Sequence, residues 1–152
     1  QGIAGATAAA RLQRFAGSPE LIVDVAHNPQ AARVLADWLQ ANPSRGRTLA
    51  VFGALADKDI EGIVDPLRPH IDCWVLAGLD AASARGLAAS ALRARIGVLV
   101  ETAADRCHAN VAAALAGAID LARDGDRIIA FGSFLVAAAV MDAVGKRTAN
   151  TA

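Results

Sequence analysis

Five apolar runs of strand length, separated by windows of helical period, constrain this chain more than any other feature. They cover residues 21–25, 48–53, 72–77, 97–101 and 127–132. None alternates polar with apolar residues as a half-solvated antiparallel sheet would, so each reads as a strand buried on both faces. Strand and helix in alternation give a parallel sheet covered by helices. The intervening windows carry the stripes such helices need: Ala31, Leu35, Trp38 and Leu39, then Ile60, Ile63, Val64 and Leu67, then Val111, Leu115, Ile119 and Ala122. Residues 11–15, followed by the turn signal Gly17-Ser18-Pro19, are expected to add an antiparallel edge strand beside the first run.

At 152 residues, 55% of them hydrophobic, the chain has room for one domain with a full core and is too short for two ordinary ones. The expected architecture is an α/β, Rossmann-like three-layer domain. Its mostly parallel six-stranded sheet, five parallel strands plus one antiparallel edge strand, carries helices on both faces. Fifteen Lys and Arg balance fifteen Asp and Glu, so no basic field exists to draw in nucleic acid or an anionic membrane. No stretch approaches the roughly 20 continuous apolar residues of a spanning helix. The opening Gln1-Gly2-Ile3-Ala4-Gly5 lacks the charged leader of a secretory signal. Cys73, in an apolar run, and Cys107, in a helical pattern, lack metal-ligand spacing and read as reduced thiols of a cytoplasmic protein. Because the chain opens on Gln1 rather than methionine, it is expected to be a fragment of something longer.

In an open sheet of this kind ligands bind beyond the carboxyl ends of the strands, and four of those ends carry polar side chains. The first is the join Asp24-Val25-Ala26-His27-Asn28-Pro29, where a buried strand runs into a helix capped by Asn28 with proline at its first position. Asp24 can accept hydrogen bonds from sugar hydroxyls or fasten a loop, and the His27 imidazole can reach a neighbouring ligand. The second, from Gly53 to Asp59, offers Asp57 as a helix cap and Lys58 as a cation for an anion, with Asp59 as a solvated residue of the first turn. The third is the loop 78–85, whose Arg85 can grip a carboxylate bidentately or face water. The fourth, Phe131-Gly132-Ser133-Phe134, ends a strand in glycine and opens a helix with a hydroxyl, so Ser133 and backbone N–H groups can hold an anion or simply cap.

Several chemistries are excluded. There is no G-x-x-x-x-G-K-[ST], so the chain has no phosphate-cradling loop of its own, and no G-x-G-x-x-G stands at a strand end. No G-x-S-x-G elbow exists for a serine hydrolase. His70, after Pro69, and His108, in a helical window, have no partners at ligand spacing, and no metal site is expected.

Four segments, taken in order, resemble one family. Ala10-Arg11-Leu12-Gln13 is similar to G-R-F-Q with two substitutions, Asp24-Val25-Ala26-His27-Asn28-Pro29 to D-x-A-H-N-P, Gly53 to Ile60 to G-x-L-x-D-K-D, and Gly132-Ser133-Phe134 to a final G-S-F. The family is the folylpolyglutamate synthases, including the bifunctional dihydrofolate synthases, of the Mur-ligase superfamily. The likeness is to their C-terminal domain and spans about residues 10 to 140. It implies an N-terminal P-loop ATPase domain, absent from this chain, with ATP between the two and Mg²⁺ held mainly by the absent part. It further implies that Arg11, Asp24 and Asn28 face the nucleotide. His27, Ser133 and Lys58 would serve the reacting groups, with Arg85 on the glutamate carboxylate.

The implied reaction begins when a pteroate or folate carboxylate attacks the γ-phosphate of ATP. The resulting acyl phosphate is converted to an amide by L-glutamate. Ala10 and Leu12 depart from the family pattern, and Arg14 replaces Arg11 if the register shifts by three. Other readings stay open from the residues: another Mur-type amino-acid ligase domain, a stand-alone doubly wound nucleotide or small-molecule binding module, or a structural assembly domain.

Overall fold

The computed structural model describes residues 12–151. In chain order they form β1 (Gln13–Phe15), β2 (Glu20–Val23), α1 (Pro29–Ala41), β3 (Thr48–Phe52), α2 (Ile60–Leu67), β4 (Cys73–Ala77), α3 (Ala89–Ile96), β5 (Cys107–His108), α4 (Val111–Leu121), β6 (Arg127–Phe131) and α5 (Phe134–Thr151). The strands make one sheet in the order β1-β2-β6-β3-β4-β5. β1 runs antiparallel to β2, with Arg14 opposite Ile22, and every other neighbouring pair is parallel. The expected count, five parallel strands plus an antiparallel edge, is met.

Every residue of β3, β4 and β6 is buried, as strands covered on both faces must be. Side chains leave a strand alternately up and down, so each strand feeds two cores. Ala50, Phe52, Ile129 and Phe131 join Leu35, Leu39, Ile63, Val64 and Leu92 under α1, α2 and α3. Leu49, Val51, Ile128 and Ala130 join Val111, Leu115, Val136 and Val140 under α4 and α5. On the first face Phe52 lies 5.0 Å from Phe131 and 5.7 Å from Trp74, centroid to centroid. Each such pair contributes about 0.5–1.5 kcal/mol beyond its buried area.

One strand lies elsewhere than the sequence suggests. Residues 97–101 are not a strand: the backbone N–H groups of Leu99 and Val100 both donate to the Ile96 carbonyl, turning the chain out of α3. Val98 is 85% exposed, which no central strand position allows. The apolar run is a helix exit that tucks Leu99 and Val100 against the core. The fifth parallel strand is the two-residue β5, so Cys107 and His108 belong to a sheet edge and not to a helix.

The amino ends of the strands are closed by charge. The Asp126 carboxylate accepts from the backbone N–H of Arg47 at 2.6 Å, from that of Arg123 at 2.9 Å and from the Arg47 guanidinium at 3.0 Å. Burial pushes its pKa up, but these donors outweigh that and hold it below the ordinary carboxylate value. Arg127, also buried, donates to the Thr48 hydroxyl at 2.9 Å and to the Asn42 carbonyl, and it stacks on Trp38. A cavity of about 650 Å³ opens at this edge between Arg14, Asn42, Asp126 and Arg127. Within its lining Arg14 pairs with Glu20, and Asp126 is held by Arg47 from outside it. No helix among the described residues is long and apolar enough to cross a membrane.

Candidate functional site

At the carboxyl edge the sheet's central strands open into loops, and the β2–α1 join comes first. The backbone N–H of Asp24 still donates to the Ala130 carbonyl at 2.9 Å, so the residue is fastened to β6 although β2 ends at Val23. Its side chain is buried, and Oδ1 accepts from the Ala26 N–H at 2.8 Å, tightening the turn. Asn28 caps α1: its Oδ1 accepts from the Ala31 N–H at 2.8 Å, and Pro29 fills the first helical position. Between them His27 is half-buried, with Nδ1 2.8 Å from the Val25 carbonyl. A carbonyl only accepts, so Nδ1 carries the proton and Nε2 is the acceptor of the neutral ring.

β6 lies next to β2, and its exit brings the second segment to the same place. Gly132 has φ +117°, and a Cβ there would meet the Gly53 carbonyl oxygen at 2.1 Å, so only glycine fits where the exits of β6 and β3 cross. The chain then enters α5. Ser133 is buried, its Oγ accepts from the Leu135 N–H at 3.0 Å, and its carbonyl accepts from the Val136 and Ala137 N–H groups. The hydroxyl keeps its own proton to donate. Phe134 follows, with its ring centroid 5.4 Å from that of His27. Asp24, His27 and Ser133 therefore share one end of the neighbouring strands β2 and β6.

The other two segments form a second unit. Leu55 pairs with Gly86 in an antiparallel bridge, the Ala56 N–H donates to the Arg85 carbonyl at 2.7 Å, and the Leu87 N–H donates to the Ala54 carbonyl at 3.1 Å. The loops after β3 and β4 are thereby stapled together, which places the Arg85 guanidinium 3.0 Å from the Asp57 carboxylate. Both side chains are exposed, so the pair contributes roughly 0–1 kcal/mol and can open. Asp57 does not cap α2. That role belongs to Asp59, whose Oδ1 accepts from the Gly62 N–H at 3.0 Å, because Ile60 and not Lys58 opens the helix. Lys58 makes no ion pair or side-chain hydrogen bond among the described residues. Behind this unit Arg95 of α3 holds Glu61 of α2 through two nitrogens, at 2.9 and 3.2 Å. The Arg95 hydrogen bond keeps the Glu61 carboxyl below its ordinary range.

Arg11 lies outside the described residues. Arg14 does not take its place. It points to the amino edge, 2.7 Å from Glu20 and stacked on Trp38. Neither thiol is activated: burial, above all, pushes the pKa of Cys73 up despite the Arg106 guanidinium beside it, and burial does the same for Cys107. Among the described residues no three His, Cys, Asp or Glu side chains gather to hold a metal ion.

Residues 10–134 match the family described as Mur ligase, glutamate ligase domain. The chain belongs to that family. The dihydrofolate synthase/folylpolyglutamate synthase of Escherichia coli K12 is 38% identical to this Mur ligase domain over 146 residues, which is 96% of this chain and 33% of that protein. The Mycobacterium tuberculosis H37Rv protein of the same name is 34% identical over 93 residues, 61% of this chain and 19% of its own length. Among solved structures, E. coli FolC in complex with ADP superposes with a TM-score of 0.79 at 36% identity over 90% of this chain and 31% of that one. A bifunctional folylpolyglutamate synthase/dihydrofolate synthase with Mn, AMPPNP and L-glutamate bound gives 0.77 at 38% identity, over 88% and 30%. This Mur ligase domain therefore spans about a third of the relatives it matches.

Proposed function

We propose that this chain is the C-terminal domain of an ATP-dependent ligase that adds L-glutamate to dihydropteroate or a folate through an acyl phosphate. The observation that carries the reading is the meeting of the Asp24–Pro29 join with Gly132-Ser133-Phe134 on adjacent strands, at the edge where open sheets bind ligands. Relatives of this fold have been solved with ADP, with AMPPNP and with L-glutamate bound, and their greater length leaves room for the phosphate-binding loop that this sequence lacks. An N-terminal ATPase domain of the same polypeptide is the partner the reading requires.

In this reading Asp24 and Asn28, with Arg11, face the nucleotide. Lys58, whose side chain has no ion pair or hydrogen bond among the described residues, meets the charge of the transferring phosphoryl group. The acceptor's carboxylate oxygen attacks the γ-phosphorus and ADP leaves. The glutamate amine then attacks the acyl carbon, phosphate leaves, and the amine proton has the Nε2 lone pair of His27 within the same edge to accept it. The Ser133 hydroxyl donates to glutamate. Arg85, swung from Asp57, pairs with a glutamate carboxylate at no large cost, since its present pair is exposed. Mg²⁺ is assigned mainly to the absent domain, and no step here passes through it.

Two assays of glutamate attachment test the assignment. The 152-residue chain alone should be inactive and should regain activity only when joined to its upstream ATPase region. Ser133→Ala in the joined protein should raise the KM for glutamate and also lower the melting temperature, because the serine caps α5. A lowered melting temperature with unchanged KM returns Ser133 to capping alone. ATP binding and turnover by the isolated chain would support the stand-alone module instead.

A further inference from the structure

Phe134 is the one residue of Gly132-Ser133-Phe134 whose presence the fold does not require. Gly132 makes the crossing with Gly53 and Ser133 caps α5, yet Phe134 leaves 61% of itself exposed at the site. An exposed phenylalanine gains little from burial, so its position has to be read from what it touches. It touches His27, with ring centroids 5.4 Å apart and planes inclined by 47°.

The two contacts of His27 constrain different motions. The Nδ1 bond to the Val25 carbonyl fixes the tautomer and the in-plane direction of the ring. That bond spans only two residues of one turn, so by itself it does not prevent the ring from swinging out to water. Phe134 comes from another strand–helix exit and blocks that swing from the side. We propose that Phe134 is a positioning residue for His27: its ring holds the imidazole against Val25 so that the Nε2 lone pair is presented to the ligand. Nε2 has no hydrogen-bond partner among the described residues. Gly132 and Ser133 set the start of α5, and Phe134 is thereby delivered beside the ring.

The consequence for catalysis rests on the ligase reading, whereas the positioning itself does not, and the test separates them. Histidine ¹⁵N spectra of the 152-residue chain, with His27 assigned through His27→Gln, report the tautomer directly. A single Nδ1–H tautomer with a slowly exchanging proton is expected for the unaltered chain and for Phe134→Tyr. Mixed tautomers and fast exchange are expected for Phe134→Ala and for Phe134→Leu, which keeps apolar bulk without a ring. A single Nδ1–H tautomer retained in both ring-free variants overturns the proposal. In the complete ligase, Phe134→Ala should raise the KM for glutamate roughly two- to ten-fold, the span of an aromatic contact, and Phe134→Tyr should restore it. Mixed tautomers with an unchanged KM would uphold the positioning and instead contradict the assignment of His27 to glutamate.

Discussion

Gly132 carries both a positive φ and a close backbone contact at the carboxyl edge, and a single methyl group tests it. The clash at 2.1 Å is with a backbone oxygen, which cannot step aside, and φ is +117°. Gly132→Ala should therefore cost about 1–3 kcal/mol, read as a lower urea midpoint with unchanged slope. Gly53→Ala, whose nearest contact is 3.0 Å, should cost less. Equal costs would show that the crossing is not the constraint. Local chemistry of this kind is legible from sequence: glycine at a strand exit, Asn28 before Pro29, Ser133 at a helix start each carry their reason within four residues. The partners of Arg85 and Arg95 were not legible, because Asp57 and Glu61 meet them across loops and helices 28 and 34 residues away. The cap of α2 was misplaced by two residues for a milder reason: Asp57 and Asp59 are the same residue type, and only the helix start tells them apart.

Among elements, the contact of α4 with β5 opposes two ordinary effects. Alanine in place of a helix-interior glycine usually stabilises by about 1 kcal/mol. A Cβ at Gly117, however, would lie 2.7 Å from Nε2 of His108. Gly117→Ala should accordingly give no net gain in thermal denaturation, and the gain should return in the His108→Ala background. A gain of full size in the unaltered background would mean that the imidazole yields freely. The same edge defeated pattern reading of the fifth strand. Residues 97–101 have the composition of a buried strand, whereas β5 is two residues long and includes a histidine. Periodicity cannot detect two residues, and apolar content cannot separate a strand from a helix exit that packs on the core. The longer strands β3, β4 and β6 were legible because both of their faces are buried over five residues.

At the scale of the molecule the proposed function divides the work between the two ends of the sheet. The amino end is closed by Asp126, Arg47, Arg127 and Trp38. Because the folded-state pKa of Asp126 is depressed, its contribution is fully present above the ordinary carboxylate range and is lost as pH falls through the folded value. The urea midpoint of Asp126→Asn should thus be lower than that of the unaltered chain at pH 7, and the two should converge in acid. A constant difference at all pH values would remove Asp126 from the acid response. That substitution should not alter ligand binding, since the proposed function places the ligands by Asp24, His27, Lys58 and Ser133 at the carboxyl end. That division into a structural end and a chemical end is the central claim, and Asp24→Asn in the ligase joined to its ATPase domain tests it most directly. Asparagine keeps an oxygen for the Ala26 N–H, so the melting temperature should stay within a few degrees, while ATP-dependent glutamate attachment falls by about 10²-fold or more. Full activity in that variant would contradict the account.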